Sequence, residues 1–283
     1  MSEQINSAIE WGQARCAGIS DTPRLDAELL LAHCIGKTRS YLYSWPKRQL
    51  AHNDWQQFQS LITRRLEPTP VAYLLGEREF FSLSLKTSPA ALVPRPETEL
   101  LVETTLAVCL HQPGADLLEL GTGTGAIAIA LKVECPAISI VATDISSHCL
   151  QLAQLNADRH KLTIDWIRSD WFTQIDRRFD LIVSNPPYIS ATDTALEQGD
   201  LPAEPIAALS PGPTGLEALE VIIAESPNYL NPGGYLLLEH GYDQQHEVAG
   251  LMREHGFINI NCKLDLNGLP RVSLGQLAKV STC

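Results

Sequence analysis

Residues 116–126 read Asp-Leu-Leu-Glu-Leu-Gly-Thr-Gly-Thr-Gly-Ala, an apolar run that empties into three alternate glycines, Gly121, Gly123 and Gly125. The run predicts a strand over Asp116–Leu120, and the apolar stretch behind the glycines predicts a helix over Ala126–Val133. A strand–turn–helix of this kind needs residues that tolerate unusual φ, and it lets a ligand approach the backbone closely. In an open α/β sheet such a turn lies at the carboxyl ends of the strands, where ligands bind.

The same texture continues on both sides. A helix is expected over Leu100–Val108. After the glycine loop come a strand from Ile138 through Ala142, ending at Asp144, and a helix over Cys149–Asp158. Strands are then expected over Ile164–Arg168, Asp180–Ser184 and Tyr235–Glu239, followed by a helix over about Gln244–His255 and strands over Ile258–Lys263 and Arg271–Gly275. Repeated βα units predict an α/β domain with an open, mostly parallel, seven-stranded sheet and helices on both faces. The last two strands have no helix between them, so one of them runs antiparallel.

Up to about residue 75 the pattern is helical throughout. Thr22 stands where it can cap a helix opened by Pro23, and Leu25, Leu29, Ala32 and Ile35 recur at helical spacing until Gly36. Trp55, Phe58, Leu61 and Ile62 keep that period as far as Arg64-Arg65, read as a solvated helix end. Alternation over Phe80–Leu85 predicts a strand, and Pro89, Pro94 and Pro96 break up the stretch beyond it. The organisation expected is a small helical bundle over residues 1–75, a linker hairpin over 76–98 and the α/β domain over 99–283.

Composition narrows the function classes. The 283 residues are 45% hydrophobic, enough for one sizeable core and a smaller second unit. Lys plus Arg is 21 against 33 Asp plus Glu, a net charge of −12, which argues against a protein that mainly grips phosphate backbones. No apolar run reaches the roughly 20 residues of a membrane span. The start Met1-Ser-Glu-Gln-Ile-Asn-Ser lacks the basic and apolar stretches of a signal peptide, so a cytoplasmic chain without membrane association is expected. Cys16, Cys34, Cys109, Cys135, Cys149, Cys262 and Cys283 form no metal-spaced cluster, and free buried thiols in a reducing compartment are expected.

Asp144 ends the strand after the glycine loop, and a carboxylate there can accept from both hydroxyls of a ribose. Two nucleoside cofactors suit this layout. A nicotinamide dinucleotide expects Gly-x-Gly-x-x-Gly, with a pyrophosphate at the helix N-terminus. This chain has the shorter Gly-x-Gly-x-Gly, preceded by Glu119, a form that resembles motif I of S-adenosylmethionine-dependent methyltransferases. In that resemblance Glu119 would face the cofactor's cationic amino acid end. Ser169-Asp170-Trp171-Phe172 comes after the third strand, where that cofactor's adenine lies. Asp170 could accept from the exocyclic amine, and Trp171 reads equally as an adenine wall or a core residue.

Strand four ends in Asn185-Pro186-Pro187-Tyr188. A carboxamide or exocyclic amine nitrogen is a poor nucleophile, because its lone pair is delocalised into a π-system. An enzyme that methylates one must hold both N–H bonds so that the lone pair points at the methyl carbon. Asn185 can accept one through its side-chain oxygen, and the Pro186 carbonyl can accept the other, held in place by two prolines. Tyr188 offers an electron-rich face to the positive charge that develops.

Together with Gly76-Glu-Arg-Glu-Phe80, Pro94-Arg95-Pro96-Glu97-Thr98-Glu99 and the segment Leu236–Gly241, these motifs resemble the HemK/PrmC family of protein-(glutamine-N5) methyltransferases, which act on peptide chain release factors. The resemblance covers nearly the whole chain. It implies a class I, Rossmann-like methyltransferase fold with an N-terminal helical domain that helps dock the release factor. It implies that Glu119, Gly121, Thr122, Gly123, Thr124, Gly125, Asp144, Asp170, Trp171 and Asn185 hold S-adenosylmethionine, with no metal. It also implies that Asn185, Pro186, Pro187 and Tyr188 hold the glutamine of the Gly-Gly-Gln motif of class 1 release factors, Asn185, Pro186 and Tyr188 being catalytic.

Phe80 and the Pro94–Thr98 loop would wall the pocket or serve the fold alone. Glu119 departs from the family, where Asp is more usual, and the loop Asn267–Arg271 is less polar than expected. Asn-Pro-Pro-Tyr is shared with adenine-N6 and guanine-N2 methyltransferases of nucleic acids. Such an enzyme ought to bring a basic, aromatic recognition domain, and the charge of −12 counts against it and against any direct nucleic acid partner. Glu239 and His240, at a strand end, read as structural.

Overall fold

The computed structural model describes residues 3–279, so Met1, Ser2 and the expected free thiol of Cys283 lie outside the described residues. By internal contacts the chain forms two units: the chain up to Glu77 with Thr194–Glu204, and Arg78–Asp193 with the chain from Pro205 onward.

The first unit holds helices α1 (Ile5–Cys16), α2 (Pro23–Cys34), α3 (Arg39–Ser44), α4 (His52–Arg65) and α5 (Val71–Leu75). Ile9, Leu30, Leu31, Leu42, Phe58 and Ile62 fill its core. Pro23 opens α2, where a missing N–H goes unnoticed. Thr22, however, makes no cap: its hydroxyl donates to Asp26 Oδ1 at 3.3 Å. The expected solvated end at Arg64-Arg65 holds for Arg64, which is exposed, and is corrected for Arg65. Arg65 is only 3% exposed and pairs with Asp26 and Asp200, both at 2.8 Å. A buried guanidinium needs such partners, and Asp200 arrives from a segment that helical periodicity cannot foresee.

A hairpin of β1 (Glu77–Phe80) and β2 (Leu83–Lys86) comes next. The single strand expected over Phe80–Leu85 is interrupted, because Phe81 (φ 50°) and Ser82 (φ 61°) both take positive φ and make a two-residue turn. Tight hairpin turns of this hand usually carry Asn-Gly or Asp-Gly, so Phe-Ser gives no warning of it.

Beyond the hairpin lie α6 (Glu99–Cys109), β3 (Asp116–Leu120), α7 (Ala126–Glu134), β4 (Ser139–Asp144), α8 (Ser147–Arg159), β5 (Asp165–Arg168) and β6 (Phe179–Ser184). The chain ends with α9 (Glu217–Tyr229), β7 (Leu230–Glu239), α10 (Gln245–Glu254), β8 (Phe257–Leu264) and β9 (Pro270–Leu277). The sheet order is β5-β4-β3-β6-β7-β9-β8. The first five of these strands run parallel, and β9 runs antiparallel to β7 and β8.

Successive side chains of a strand point to opposite faces. Leu117 accordingly joins one core with Ile129, Leu181 and Leu237, while Leu118 joins the other with Ile182, Leu219 and Leu236. A strand covered on both faces reads as a mostly apolar run, and Leu117, Leu118 and Leu120, interrupted only by Glu119, make Asp116–Leu120 legible in the sequence. Helix α9, not anticipated, buries Ala218, Leu219, Ile222, Ile223 and Ser226 on one side and carries Pro227 in its last turn.

Candidate active site

Strand register assembles the site. Leu120 pairs with Thr143 and with Ser184, Asp144 pairs with Arg168, and Ser184 pairs with Leu238. One residue later Gly121, Ser169 and Asn185 therefore leave the sheet along one edge, beside Asp144 and Glu239, the last residues of β4 and β7. Strand order reverses between β3 and β6, the crevice in which open α/β sheets take ligands. A cavity of about 690 Å³ opens there, lined among others by Gly121–Thr124, Asp144, Ser169–Trp171 and Asn185–Pro187.

The glycine loop is a tight turn. Thr122 N–H donates to Thr143 O and Gly125 N–H to Thr122 O, each at 2.8 Å. Gly125 (φ 81°) starts α7, and a Cβ there would stand 3.0 Å from Ala153 Cβ and 3.2 Å from Ala153 Cα, so only glycine lets α7 and α8 approach. In front of the loop the space is open. A Cβ at Gly123 would meet nothing within 4 Å, and one at Gly121 only Trp171, at 3.9 Å.

Asp144 secures this cradle. Its Oδ2 accepts from Gly123 N–H and its Oδ1 from Ser146 N–H, both at 2.9 Å. Burial raises its pKa, and those two backbone donors oppose the rise. Each oxygen keeps a second lone pair for a ligand hydroxyl. On the facing wall, Asp170 is exposed and Trp171 is half-buried with φ at 44°. Trp171 lines the cavity and also packs against the core around Phe172.

Glu119 lies behind the loop rather than in the cavity wall. It is fully buried, and Oε2 accepts from Thr122 Oγ1 at 2.8 Å and Ala128 N–H at 3.1 Å. Oε1 has no hydrogen-bond partner among the described residues. Burial pushes the carboxyl up to about 8, the charge of Asp144 adds to the rise, and the Thr122 and Ala128 bonds oppose it.

This burial makes stability depend on pH. Below the ordinary value of 4.5 both folded and unfolded chains hold this proton, and folding carries no penalty from it. As pH rises toward about 8 the unfolded chain ionises while the folded one resists, so stability falls. Glu119→Gln should gain stability relative to the parent chain between about pH 5 and about pH 8, measured by denaturant unfolding. An equal difference at both pH values would mean that the carboxyl titrates normally.

At the chemical end, Asn185 Nδ2 donates to Thr98 Oγ1 at 3.0 Å. Tyr188 does not line the cavity; its hydroxyl donates to Glu239 Oε1 at 3.2 Å, and its carbonyl accepts from Gln244 Nε2 at 3.0 Å. Glu239 is fully buried, its Oε2 has no hydrogen-bond partner among the described residues, and burial pushes its carboxyl up to about 7, with the neighbouring Thr98 and Tyr188 side chains opposing the rise. Burial, with the Glu239 charge second, raises the Tyr188 phenol above its ordinary value. Thr98 and Glu239 flank this cluster; both lie in motifs quoted above, Pro94–Glu99 and Leu236–Gly241, but the sequence reads Glu239 as structural and gives Thr98 no role of its own. The usable signal for Glu239 is a carboxylate closing an apolar strand, where burial perturbs titration.

Of the two roles open to Phe80, pocket wall or fold alone, the structure gives the second, a core residue at 1% exposure; of the Pro94–Thr98 loop, Pro94, Arg95 and Thr98 line the cavity. His240 is buried, with Gly241 O and Ser273 Oγ both at 2.8 Å from its ring nitrogens. The six described cysteines are free thiols, and Cys149 lines the cavity. No described helix is long and apolar enough to cross a membrane.

The open face before Gly123 and the carboxylates of Asp144 and Asp170 fit a cationic nucleoside such as S-adenosylmethionine. Comparison with known proteins agrees. The PrmC N-terminal domain family matches residues 7–76, and the methyltransferase small domain family matches residues 96–200. A release factor glutamine methyltransferase of Vibrio cholerae is 44% identical over 98% of both chains. One from Pseudomonas aeruginosa is 46% identical over 92% of this chain and 94% of its own. A methyltransferase structure from Pyrococcus furiosus shares the fold at 20% identity and a TM-score of 0.55, over 71% of this chain and 91% of its own.

Fold and site define a class I methyltransferase whose cofactor is S-adenosylmethionine. Within that class, the chain belongs to the release factor glutamine methyltransferase family.

Proposed function

We propose that this chain methylates the side-chain amide nitrogen, N5, of the glutamine in the Gly-Gly-Gln motif of class 1 peptide chain release factors. It does so in the cytoplasm and without binding nucleic acid directly. The observation that carries this reading is the Asn185 amide: its Nδ2 is taken by Thr98, which leaves Oδ1 to accept an N–H from the substrate.

S-adenosylmethionine, when bound, supplies an electrophilic methyl group on a sulfonium. The chain's own residues do the rest. The Gly121–Gly125 loop, Asp144, Asp170 and Trp171 hold the nucleoside, and Glu119 supports the loop from behind. Asn185 Oδ1 and the Pro186 carbonyl each accept one N–H of the glutamine amide. With both hydrogens held, the nitrogen lone pair projects toward the methyl carbon. Pro186 and Pro187 restrict the backbone that carries the second acceptor, and Gln244 braces the turn through the Tyr188 carbonyl. Once methylated the nitrogen is cationic and acidic, so its proton leaves to solvent without a strong base. The helical unit, matched by the PrmC N-terminal domain family, docks the release factor.

The test is transfer of labelled methyl from S-adenosylmethionine to a purified release factor. Label should enter the unmodified factor and not one whose Gly-Gly-Gln glutamine is replaced. Equal labelling of both would remove glutamine as the acceptor.

A further inference from the structure

The hairpin between β8 and β9 is built inside out. Residues 264–269 read Leu-Asp-Leu-Asn-Gly-Leu, and a turn in water ordinarily shows its polar side chains and tucks in its apolar ones. Here Leu266 is fully exposed, and Leu264 and Leu269 are 53% and 38% exposed. The Asp265 side chain between them is only 6% exposed. It is spent on the turn itself: Oδ1 accepts from Asn267 N–H at 2.8 Å and Leu269 N–H at 3.0 Å, and Oδ2 from Arg271 Nε at 3.1 Å. Asp265 N–H donates to Leu269 O at 2.8 Å, and Gly268, at φ 77°, donates its N–H to Asp265 O at 2.9 Å. A tip tied in this way holds its leucines outward in one arrangement. None of the three belongs to either core of the α/β domain. Tyr242, 57% exposed, adjoins them through the Arg271 guanidinium, 5.8 Å from its ring centroid. Exposed apolar side chains clustered on a rigid support mark an interaction site.

Its place in the fold says with what. Ser184 pairs with Leu238, Glu239 with Val272, and Val272 with Lys263. Asn185 is therefore level with Val272 and Lys263, and residues 264–271 stand beyond the edge from which the Asn185 turn emerges. In the order β6-β7-β9-β8 the hairpin is two to three strands from Asn185, on the order of 10–15 Å at ~4.8 Å per strand. An extended protein chain covers that distance in about four residues. A glutamine held at Asn185 thus brings the body of the protein that carries it over the tip, which a small free amide would not reach. The chemistry of the tip also fits a protein surface. The one cation of residues 264–271, Arg271, is paired with Asp265, so leucine rather than charge is offered to a partner.

We propose that this tip, with Leu266 at its point and Leu264, Leu269 and Tyr242 beside it, is a docking surface for an apolar patch of the release factor close to the acceptor glutamine. The inference rests on the function proposed above and gives the α/β domain a contact with the acceptor protein outside the cavity. No residue of the tip lines the cavity, so it acts on capture of the protein and not on methyl transfer.

Leu266→Ser and a triple variant with Leu264→Ser and Leu269→Ser added test this in the full-length protein. Leu266→Ser should raise KM for the release factor by roughly ten- to a hundredfold, the scale of one leucine side chain returned to water. Its kcat, calorimetric affinity for S-adenosylmethionine and melting temperature should stay at the parent's values, because an exposed side chain supports neither core nor cofactor. Leu266→Met, which keeps an apolar side chain, should restore the parent KM. A parent-like KM in the triple variant overturns the proposal. So does a dimer that Leu266→Ser turns into monomers with KM unmoved, which would make a second copy of this chain the occupant. If the parent labels no release factor, calorimetric binding of the factor decides the matter separately. Affinity lost in Leu266→Ser upholds the docking while the acceptor assignment falls, and affinity unmoved, or absent from the parent, overturns the docking.

Discussion

Replacing Asn185 by alanine lowers methyl transfer by at least ~10²-fold, the scale on which a preorganised catalytic contact acts. Affinity for S-adenosylmethionine should weaken far less. The effect is one of direction. A carboxamide nitrogen has its lone pair spread over the neighbouring carbonyl, and the turn must hold both hydrogens to bring that pair out of conjugation. Asn185 Oδ1 is one of two acceptors available for this, and its orientation is set by the 3.0 Å bond from Nδ2 to Thr98. Alanine removes the acceptor and leaves the glycine cradle and Asp144, which come from other strands, untouched. Steady-state kinetics beside calorimetry separates the two effects. A near-normal rate would mean that the chemistry happens elsewhere.

Asp144→Ala has the complementary signature: cofactor affinity falls by about 10²-fold, through the loss of charge-assisted hydrogen bonds worth roughly 1.5–3 kcal/mol each. The carboxylate already accepts from Gly123 and Ser146 at 2.9 Å, so its removal also loosens the loop it holds. Its remaining lone pairs are the ones that ribose hydroxyls would use. Calorimetry with S-adenosylmethionine reads this directly, and an unchanged dissociation constant would refute a ribose role for Asp144.

Much of this site is visible in the chain before folding, for identifiable reasons. Asp116–Leu120 is buried on both faces, so its apolar run marks its ends without ambiguity. The loop Gly121–Gly125 needs positive φ and close approach, and glycine is the residue that supplies both. Asn185–Tyr188 comes directly after another buried strand, which places it on the edge the loop occupies.

What stayed hidden depends on pairing between distant segments. Thr98 reaches Asn185, and Glu239 reaches Tyr188, only because Ser184 lies opposite Leu238 and a short turn brings Thr98 to the same edge. Arg65 looks like a solvent-facing helix end until Asp26 and Asp200 close around it. The turn at Phe81-Ser82 uses residues that rarely take positive φ, so alternation alone runs straight through it. Glu119 is a case of depth. Its place before Gly121 is plain, but only the folded chain shows that Thr122 and Ala128 hold its carboxylate behind the loop.

The claim on which the rest depends is that the Asn185–Tyr188 turn holds an amide nitrogen in front of the transferable methyl group. A crystal structure of the protein with S-adenosylhomocysteine and a peptide containing Gly-Gly-Gln tests it most directly. The glutamine nitrogen should lie within hydrogen-bonding distance of both Asn185 Oδ1 and the Pro186 carbonyl, facing the cofactor's sulfur. A glutamine side chain bound away from the turn, or a sulfur pointing away from it, would contradict that claim.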